Sequence, residues 1–138
     1  MEVEYWIDYS MVDFICTIGE NRVGVSVTRA MGHCKQVGTK KIKLDESMFT
    51  DEDTEILLKK KLNGLIISRN SVTDRHSFFR SILHIWCQSQ RIADLLRLKF
   101  ESYDTDDFGL DVKGSVILVL TICDFENIYY NSREGLNL

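Results

Sequence analysis

The sequence predicts an α/β domain with a mixed β-sheet that starts with an N-terminal β-hairpin and is flanked by helices. Two runs of alternating apolar and polar residues lie near the N-terminus, and a continuous apolar run lies near the C-terminus. Segments with helical spacing lie between them. Strands separated by helices require crossover connections, which produce a sheet covered by helices. At 138 residues the chain has the size of one domain, so we expect a single domain over residues 1–138.

The composition is that of an ordinary globular protein, with 44% hydrophobic and 28% charged residues. The longest apolar run, 116–123, is far shorter than the ~20 residues that span a bilayer, so we expect no membrane contact. The first twenty residues contain acids and no Lys or Arg, unlike a signal or transit peptide. We therefore expect a cytoplasmic or nuclear protein with reduced cysteines. The net charge of −4 disfavours coating of nucleic acid by overall charge but leaves a local basic groove possible.

The predicted hairpin occupies residues 12–30. Residues 12–18 alternate with period two, the sequence Gly-Glu-Asn at 19–21 supplies a turn, and residues 22–30 place valines on one face. Two such runs across a short turn are typical of antiparallel strands. Residues 3–9 also alternate, which predicts an extension of the hairpin or a preceding strand.

Two helices and two further strands are predicted after the hairpin. Residues 51–62 begin with acids and end with Lys59, Lys60 and Lys61, the order that the helix dipole favours, and Thr50 with Asp53 resembles a capping box. A short strand at 65–68 should follow. A longer helix is predicted from Ser71 or Asp74 to about residue 100, because apolar residues recur there at three- and four-residue spacing. The run 115–124 predicts a strand covered on both sides, and the tail from about 125 shows no pattern.

One arrangement in the hairpin has a counterpart in a known family. Asp13 lies early in one strand, a glycine-containing turn follows, and the next strand ends in alternating polar and apolar residues. This resembles the core of the PD-(D/E)xK, or restriction-endonuclease-like, nucleases. In that family the first strand offers Asp and the second offers an acid and a Lys two residues apart, so that two carboxylates share Mg²⁺ at a phosphodiester. The resemblance covers residues 3–124.

Matched residue by residue, the resemblance puts Asp13 at the first metal-ligand position, Ser26 at the second acid and Thr28 at the lysine. Ser is a poor Mg²⁺ ligand beside a carboxylate and Thr has no charge, so the implied catalytic site is degenerate. In an active enzyme, a replacement acid would come from Asp8, Glu20 or Glu4, with Asp13, Asp8 and Glu20 as the metal set. The implied activity is then an Mg²⁺-dependent phosphodiesterase; otherwise no cofactor is expected.

A possible phosphate-binding stripe lies on the predicted long helix. The stripe consists of Arg80, His84, Gln88 and Arg91, whose spacing of 4, 4 and 3 residues places them on one helix face. Such hydrogen-bond donors position phosphate oxygens. The predicted nucleic-acid contacts are Lys59, Lys60, Lys61, Arg80, His84, Gln88 and Arg91. A basic loop at 35–43 could add to the same groove. The plainer interpretation of the stripe is a solvent-exposed helix face.

Two further interpretations complete the predictions. A zinc set of His33, Cys34, His84 and Cys87 has suitable residue types, although adjacent ligands fit a tetrahedral site poorly.

For function, the resemblance implies a divergent or inactive nuclease-like domain that binds DNA or RNA. The alternative is a non-catalytic protein–protein interaction subunit, or a homodimer, that uses exposed aromatic residues. Those aromatic candidates are Trp6, Tyr129 and Tyr130.

Overall fold

A computed structural model describes residues 12–35, 42–71, 80–108 and 112–129. Its strands are β1 Phe14–Ile18, β2 Asn21–Ala30, β3 His33–Lys35, β4 Ile42–Leu44, β5 Arg80–Cys87 and β6 Val116–Ile122. Its helices are α1 Asp51–Ser71, α2 Gln90–Ser102, α3 Thr105–Phe108 and α4 Val112–Ser115. Short 3₁₀ turns occupy Glu46–Met48 and Glu126–Ile128. None of the helices in these ranges is both long and apolar enough to cross a membrane.

The strands form a four-stranded mixed sheet in the order β1-β2-β5-β6. β1 and β2 are antiparallel, with Phe14 opposite Val25 and Ile18 opposite Asn21, which confirms the predicted N-terminal hairpin. β5 runs parallel to β2, and β6 runs parallel to β5. β3 and β4 form a separate two-stranded antiparallel sheet. The predicted fold class, a mixed sheet flanked by helices, is therefore confirmed.

The main sheet has one face packed against helices, which we call the helix side. On β5, alternate side chains from Ser81 to Cys87 are buried there. α1 contributes Leu58, Leu62 and Leu65 to the same hydrophobic core, spaced four and three residues apart as on one helix face. α2 contributes Ile92, Ala93 and Leu96. Both long helices therefore lie on the same side of the sheet.

The starts of both helices are closed by side-chain hydrogen bonds. The backbone N–H of Thr50 donates to Asp53 Oδ2 at 3.0 Å, and the N–H of Asp53 donates to Thr50 Oγ1 at 3.1 Å. This is the predicted capping box, with Asp in the usual place of Glu. Ser89 caps α2 by accepting from the N–H of Ile92. Such caps satisfy backbone donors that have no partner within the helix.

Several predicted element boundaries are wrong. The helix at 51–62 and the strand at 65–68 form one continuous helix, α1, because Leu65 and Ser68 extend its buried stripe. The long helix beginning near residue 71 is also wrong, since residues 80–87 form β5 and α2 begins only at Gln90. β5 has apolar residues on both faces, so its sequence does not alternate clearly and imitates helical spacing.

The strand predicted at 115–124 is confirmed as β6, but its two sides differ. Val116 is buried on the helix side, whereas Ile117 is 53% and Val119 is 38% exposed on the other side. The described residues thus cover β6 on one face, where both were expected to be covered. The strand predicted at 3–9 lies outside the described residues. The tail from 125 includes a 3₁₀ turn and the buried Tyr129, whose hydroxyl donates to the carbonyl of Cys123.

A polar cluster joins the segment before α1 to the turn between β5 and α2. Glu46 Oε1 accepts from Arg91 Nε at 2.5 Å and from Ser89 Oγ at 2.6 Å. Arg91 Nη2 also donates to the carbonyl of Phe49 at 2.9 Å. The N–H of Gly32 donates to the Gln88 side chain at 2.9 Å. These bonds fix the end of the sheet where the parallel strands terminate.

Gly32 is required by close backbone approach. A Cβ at this position would lie 2.1 Å from the carbonyl oxygen of Asp45 and 2.7 Å from the nitrogen of Phe49. We expect Gly32→Ala to lower the free energy of unfolding by about 1–3 kcal/mol, because main chain must shift to accept the methyl group. Urea denaturation measures this. A variant as stable as the parent chain would show that the contact is not as close as described.

The Glu46 cluster predicts a pH dependence of stability. The hydrogen bond from Ser89, followed by the interaction with Arg91, lowers the pKa of Glu46 below its usual 4.5. A carboxyl group with a lowered folded-state pKa stabilises the fold above 4.5, and this contribution is lost as the pH falls through the folded-state value. We therefore expect the stability difference between the parent chain and Glu46→Gln to shrink on acidification below that pH. Thermal unfolding of both across pH measures it; a constant difference contradicts the assignment.

Candidate functional site

Asp13 lies where β1 approaches the middle of β2. The chain bends at Val12 and Asp13, so that Val12 is 2% exposed in the core while Asp13 is exposed. The N–H of Asp13 donates to the Val25 carbonyl at 2.8 Å, and Asp13 Oδ2 accepts from the N–H of Val27 at 2.6 Å. Asp13 is thus beside residues 25–27, and one oxygen of its carboxylate is bonded to the main chain of β2.

Ser26 and Thr28 both face the helix side. Ser26 pairs with Leu83 and Thr28 pairs with Ile85, and both of these β5 residues are fully buried. Ser26 is 3% exposed and Thr28 is half-buried. The three residues matched to the catalytic positions are therefore close along the hairpin. Two of them point between the sheet and the helices, and the third is bonded to backbone.

The predicted metal ligands are not brought together in the described residues. Glu20 is in the turn after β1, at the opposite end of that strand from Asp13. Five extended residues separate the two ends by roughly 17 Å, too far for one metal ion. Asp8 and Glu4 lie outside the described residues. Within the described ranges, no group of three or more His, Cys, Asp or Glu could hold a metal ion.

The residues of the zinc alternative are also dispersed. Cys87 is fully buried on the helix side, and burial raises the pKa of its thiol to about 12. His84 lies on the opposite face of β5. His33 and Cys34 belong to the separate β3–β4 sheet. These four residues therefore do not form one coordination site.

The predicted basic stripe is not a helix face. Arg80 and His84 lie on β5, on the face opposite the helices, and Gln88 follows the strand and accepts from Gly32. Arg91 belongs to α2 and is bonded to Glu46 and Phe49. The helix predicted for this segment is wrong, because the first half of the stripe, Arg80 and His84, belongs to strand β5.

The lysine cluster lies on another side of the molecule. Lys59, Lys60 and Lys61 belong to α1, which packs on the helix side. Lys59 Nζ lies 2.7 Å from Glu55 Oε1, and this ion pair raises the pKa of Lys59. The sheet therefore separates the lysines from Arg80 and His84. Their role in binding nucleic acid stays a prediction, but the described basic residues do not converge on one groove.

The second face of the main sheet is an apolar surface that the sequence predictions missed. We call it the outer face; it consists of the even-numbered residues of β1 and β5 and the odd-numbered residues of β2 and β6. None of these residues is acidic, and most are aliphatic or aromatic. Its exposed large hydrophobic side chains are Phe14, Ile18, Val27, Ile117 and Val119, with exposures of 40%, 56%, 37%, 53% and 38%.

Polar side chains at one end of the outer face are held by specific contacts. His84 Nε2 and Thr121 Oγ1 are 2.8 Å apart, and the rings of His84 and Trp86 have centroids 5.0 Å apart. Arg29 Nη1 donates to the carbonyl of Ile128 at 3.0 Å. Because these side chains are fixed, the outer face presents a defined surface. The continuous apolar run of β6, which places apolar residues on both faces of the strand, was the sequence signal for it, but the pairing with β5 was needed to recognise the face.

Comparison with known proteins gives one distant match. The chain is 33% identical over 95 residues to the AAC-rich mRNA clone AAC4 protein of Dictyostelium discoideum. The alignment covers 69% of this chain and 13% of that protein, so the chain spans a small part of the relative's length. No family model matches the sequence. No solved structure gives a significant match.

The hydrogen bond between Asp13 and Val27 predicts a structural effect of mutation. We expect Asp13→Ala to lower the free energy of unfolding by about 1 kcal/mol, since the Val27 N–H loses its acceptor. Asp13→Asn keeps a side-chain carbonyl and should remain close to the parent chain. Urea denaturation of both variants, with Glu20→Ala in the exposed turn as a control, measures this. Equal stability of the alanine variant and the control would mean that the bond contributes nothing.

Proposed function

We propose that this chain is a catalytically inactive domain of restriction-endonuclease-like architecture that binds a protein partner through its outer face. The observation that carries the proposal is the outer face itself. It offers exposed aliphatic and aromatic side chains on adjacent strands, with no acidic residue among them. Large contiguous apolar patches mark interaction sites more often than isolated exposed hydrophobic residues do.

Three features support the proposed architecture. An antiparallel hairpin comes first, Asp13 is near residues 25–27 of its second strand, and helices alternate with parallel strands afterwards. This is the element order that suits the resemblance in the sequence. The proposal therefore keeps the ancestry that the hairpin residues suggest.

Loss of catalysis is supported by the chemistry at the matched positions. Metal-dependent hydrolysis needs carboxylates that are free to bind a cation, and a charged group near the attacking water. Beside Asp13, Ser26 and Thr28 supply neither a second carboxylate nor an ammonium group. Both face the core side of the sheet.

A protein partner fits the outer face better than nucleic acid does. Aliphatic side chains such as Ile117 and Val119 gain about 25 cal/mol per Å² of apolar surface buried, but they offer no hydrogen bonds to phosphates or base edges. The cations predicted to bind phosphate are distributed between α1, β5 and α2. Arg91, in particular, is bonded to Glu46 and Phe49.

Parallel strands provide a second reason for a partner. Sheets built from parallel strands are normally covered on both faces, and their strands are correspondingly apolar. β2, β5 and β6 have apolar residues on both faces, while the described helices α1 and α2 cover only one. A docked partner would cover the side chains of this face that stay exposed in the described residues.

The proposal predicts binding that depends on the centre of β6. In a Trp6→Phe background Trp86 is the single tryptophan, because the chain has two. Its fluorescence then reports binding of a synthetic amphipathic helix with a leucine face and uncharged glutamine flanks. We expect Ile117→Gln with Val119→Gln to weaken this binding at least about tenfold, since two partly exposed aliphatic side chains no longer contribute.

The matched control is Leu98→Gln, which alters a 57% exposed leucine on α2. It should leave the binding unchanged. Equal affinity of the β6 double variant and the parent chain would overturn the proposed use of the outer face. Separately, cleavage of single- or double-stranded DNA or RNA with Mg²⁺ or Mn²⁺ that Asp13→Asn abolishes would overturn the proposed loss of catalysis.

A further inference from the structure

We infer that the segment docking on the outer face is an amphipathic α-helix with acidic flanks. This inference rests on the proposed function and specifies the chemistry of the partner. It draws on two independent features of the molecule: the dimensions of the outer face and the sign of the charges along its border.

The dimensions of the outer face suit a helix. Four strands spaced about 4.8 Å apart give a width of roughly 14 Å between the axes of β1 and β6. The parallel strands β5 and β6 contain eight and seven residues, or roughly 23–27 Å of extended chain. A helix about 10 Å wide and about 18 residues, or 27 Å, long matches this area. The opposite face of the same sheet, the helix side, is also covered by helices, since α1 and α2 pack leucine and isoleucine side chains against it.

The border of the outer face is basic where the parallel strands begin. Arg80 is the first residue of β5 and lies on the outer face, and Lys113 precedes β6 by three residues. Both are exposed. Among the described residues of this border, Glu20 is the acid in the neighbouring turn, so the two cations outnumber it. The net charge of the whole chain is −4, so the described part of this border has the opposite sign to the chain as a whole.

Arg80 and Lys113 are the cations best suited to meet a partner. No ion pair involving either is found within the described residues. Carboxylates on the flanks of a docked helix would supply the missing partners. Charged pairs at the rim of an interface select partners and speed association more than they add affinity.

Other occupants fit these charges less well. A second copy that stacked its outer face on the first would bring strand residues among which no acid is described, so these strands would supply no carboxylate to Arg80. A nucleic acid would satisfy the cations but leave Ile117, Val119 and Val27 without apolar partners. An acidic amphipathic helix satisfies both the apolar surface and the basic border.

The test uses the full chain with Trp6→Phe and three synthetic helices of about 18 residues. The peptides share one leucine face and differ only in their flanks, which are glutamate, glutamine or lysine. Trp86 fluorescence gives the affinities at low and high salt. We expect the glutamate peptide to bind about tenfold more tightly than the glutamine peptide at low salt, the lysine peptide to bind most weakly, and high salt to reduce the differences.

Charge reversal identifies the residues involved. Arg80→Glu with Lys113→Glu should remove the preference for the glutamate peptide and improve binding of the lysine peptide. The control is Lys60→Glu with Lys61→Glu on α1, which changes the net charge equally but lies on the helix side. The control should retain the preference. If both double variants lose it equally, net charge alone causes the preference and the inference is overturned.

The outcomes separate this inference from the proposed function. If all three peptides bind equally and Ile117→Gln with Val119→Gln still weakens their binding, the inference of acidic flanks is wrong and the outer face remains the binding surface. If that double variant has no effect on any peptide, both are wrong. If oligo-dT binds in place of the peptides and the Arg80 and Lys113 reversal abolishes that binding, the partner is a nucleic acid and the inference fails.

Discussion

The parallel pairing of β2, β5 and β6 is the constraint from which the rest of the molecule follows. Each parallel connection needs a crossover, and crossovers in a sheet are right-handed almost without exception. Both connections advance in the same direction, from β2 to β5 and from β5 to β6, so α1 and α2 must lie on the same side. The core is therefore concentrated on the helix side. The side chains of the other face must either meet water or meet another surface.

The hairpin shows for single residues how strand pairing decides which side chains face the core. Its pairing places Phe14 on the outer face, while the bend at Val12 and Asp13 returns Val12 to the core. At this bend, the Asp13 carboxylate lies opposite β2 and accepts a hydrogen bond from the backbone N–H of Val27. Asp13 therefore lies beside residues 25–27 of β2 because of the strand pairing. The hydrogen bond that holds it there involves one of its two carboxylate oxygens, Oδ2.

The sequence predicted elements whose signals are local, and it failed where the signal depends on pairing. The hairpin was predicted correctly because each strand alternates and the turn contains Gly19, which has a φ of 63°. The Thr50–Asp53 cap was likewise visible as a spacing. β5 was missed because Ile82 and Trp86 on one face accompany Leu83 and Ile85 on the other, which obscures a period of two. Since the outer face exists only through the pairing of β5 with β2 and β6, the candidate site was missed with it.

The arrangement of exposed apolar residues separates a binding surface from ordinary surface exposure. On the helices, Ile56 and Leu98 are as exposed as any large hydrophobic residue of the outer face, at 58% and 57%. Each is next to charged neighbours, including Glu55 and Lys99, whose hydration keeps other chains away. On the outer face, Ile117 and Val119 share a strand face with no charged residue between them. A protein surface of this kind lowers its free energy by covering several side chains at once, which isolated residues cannot do. The contiguity of the apolar side chains, more than the exposure of any one of them, therefore makes the outer face the candidate binding surface.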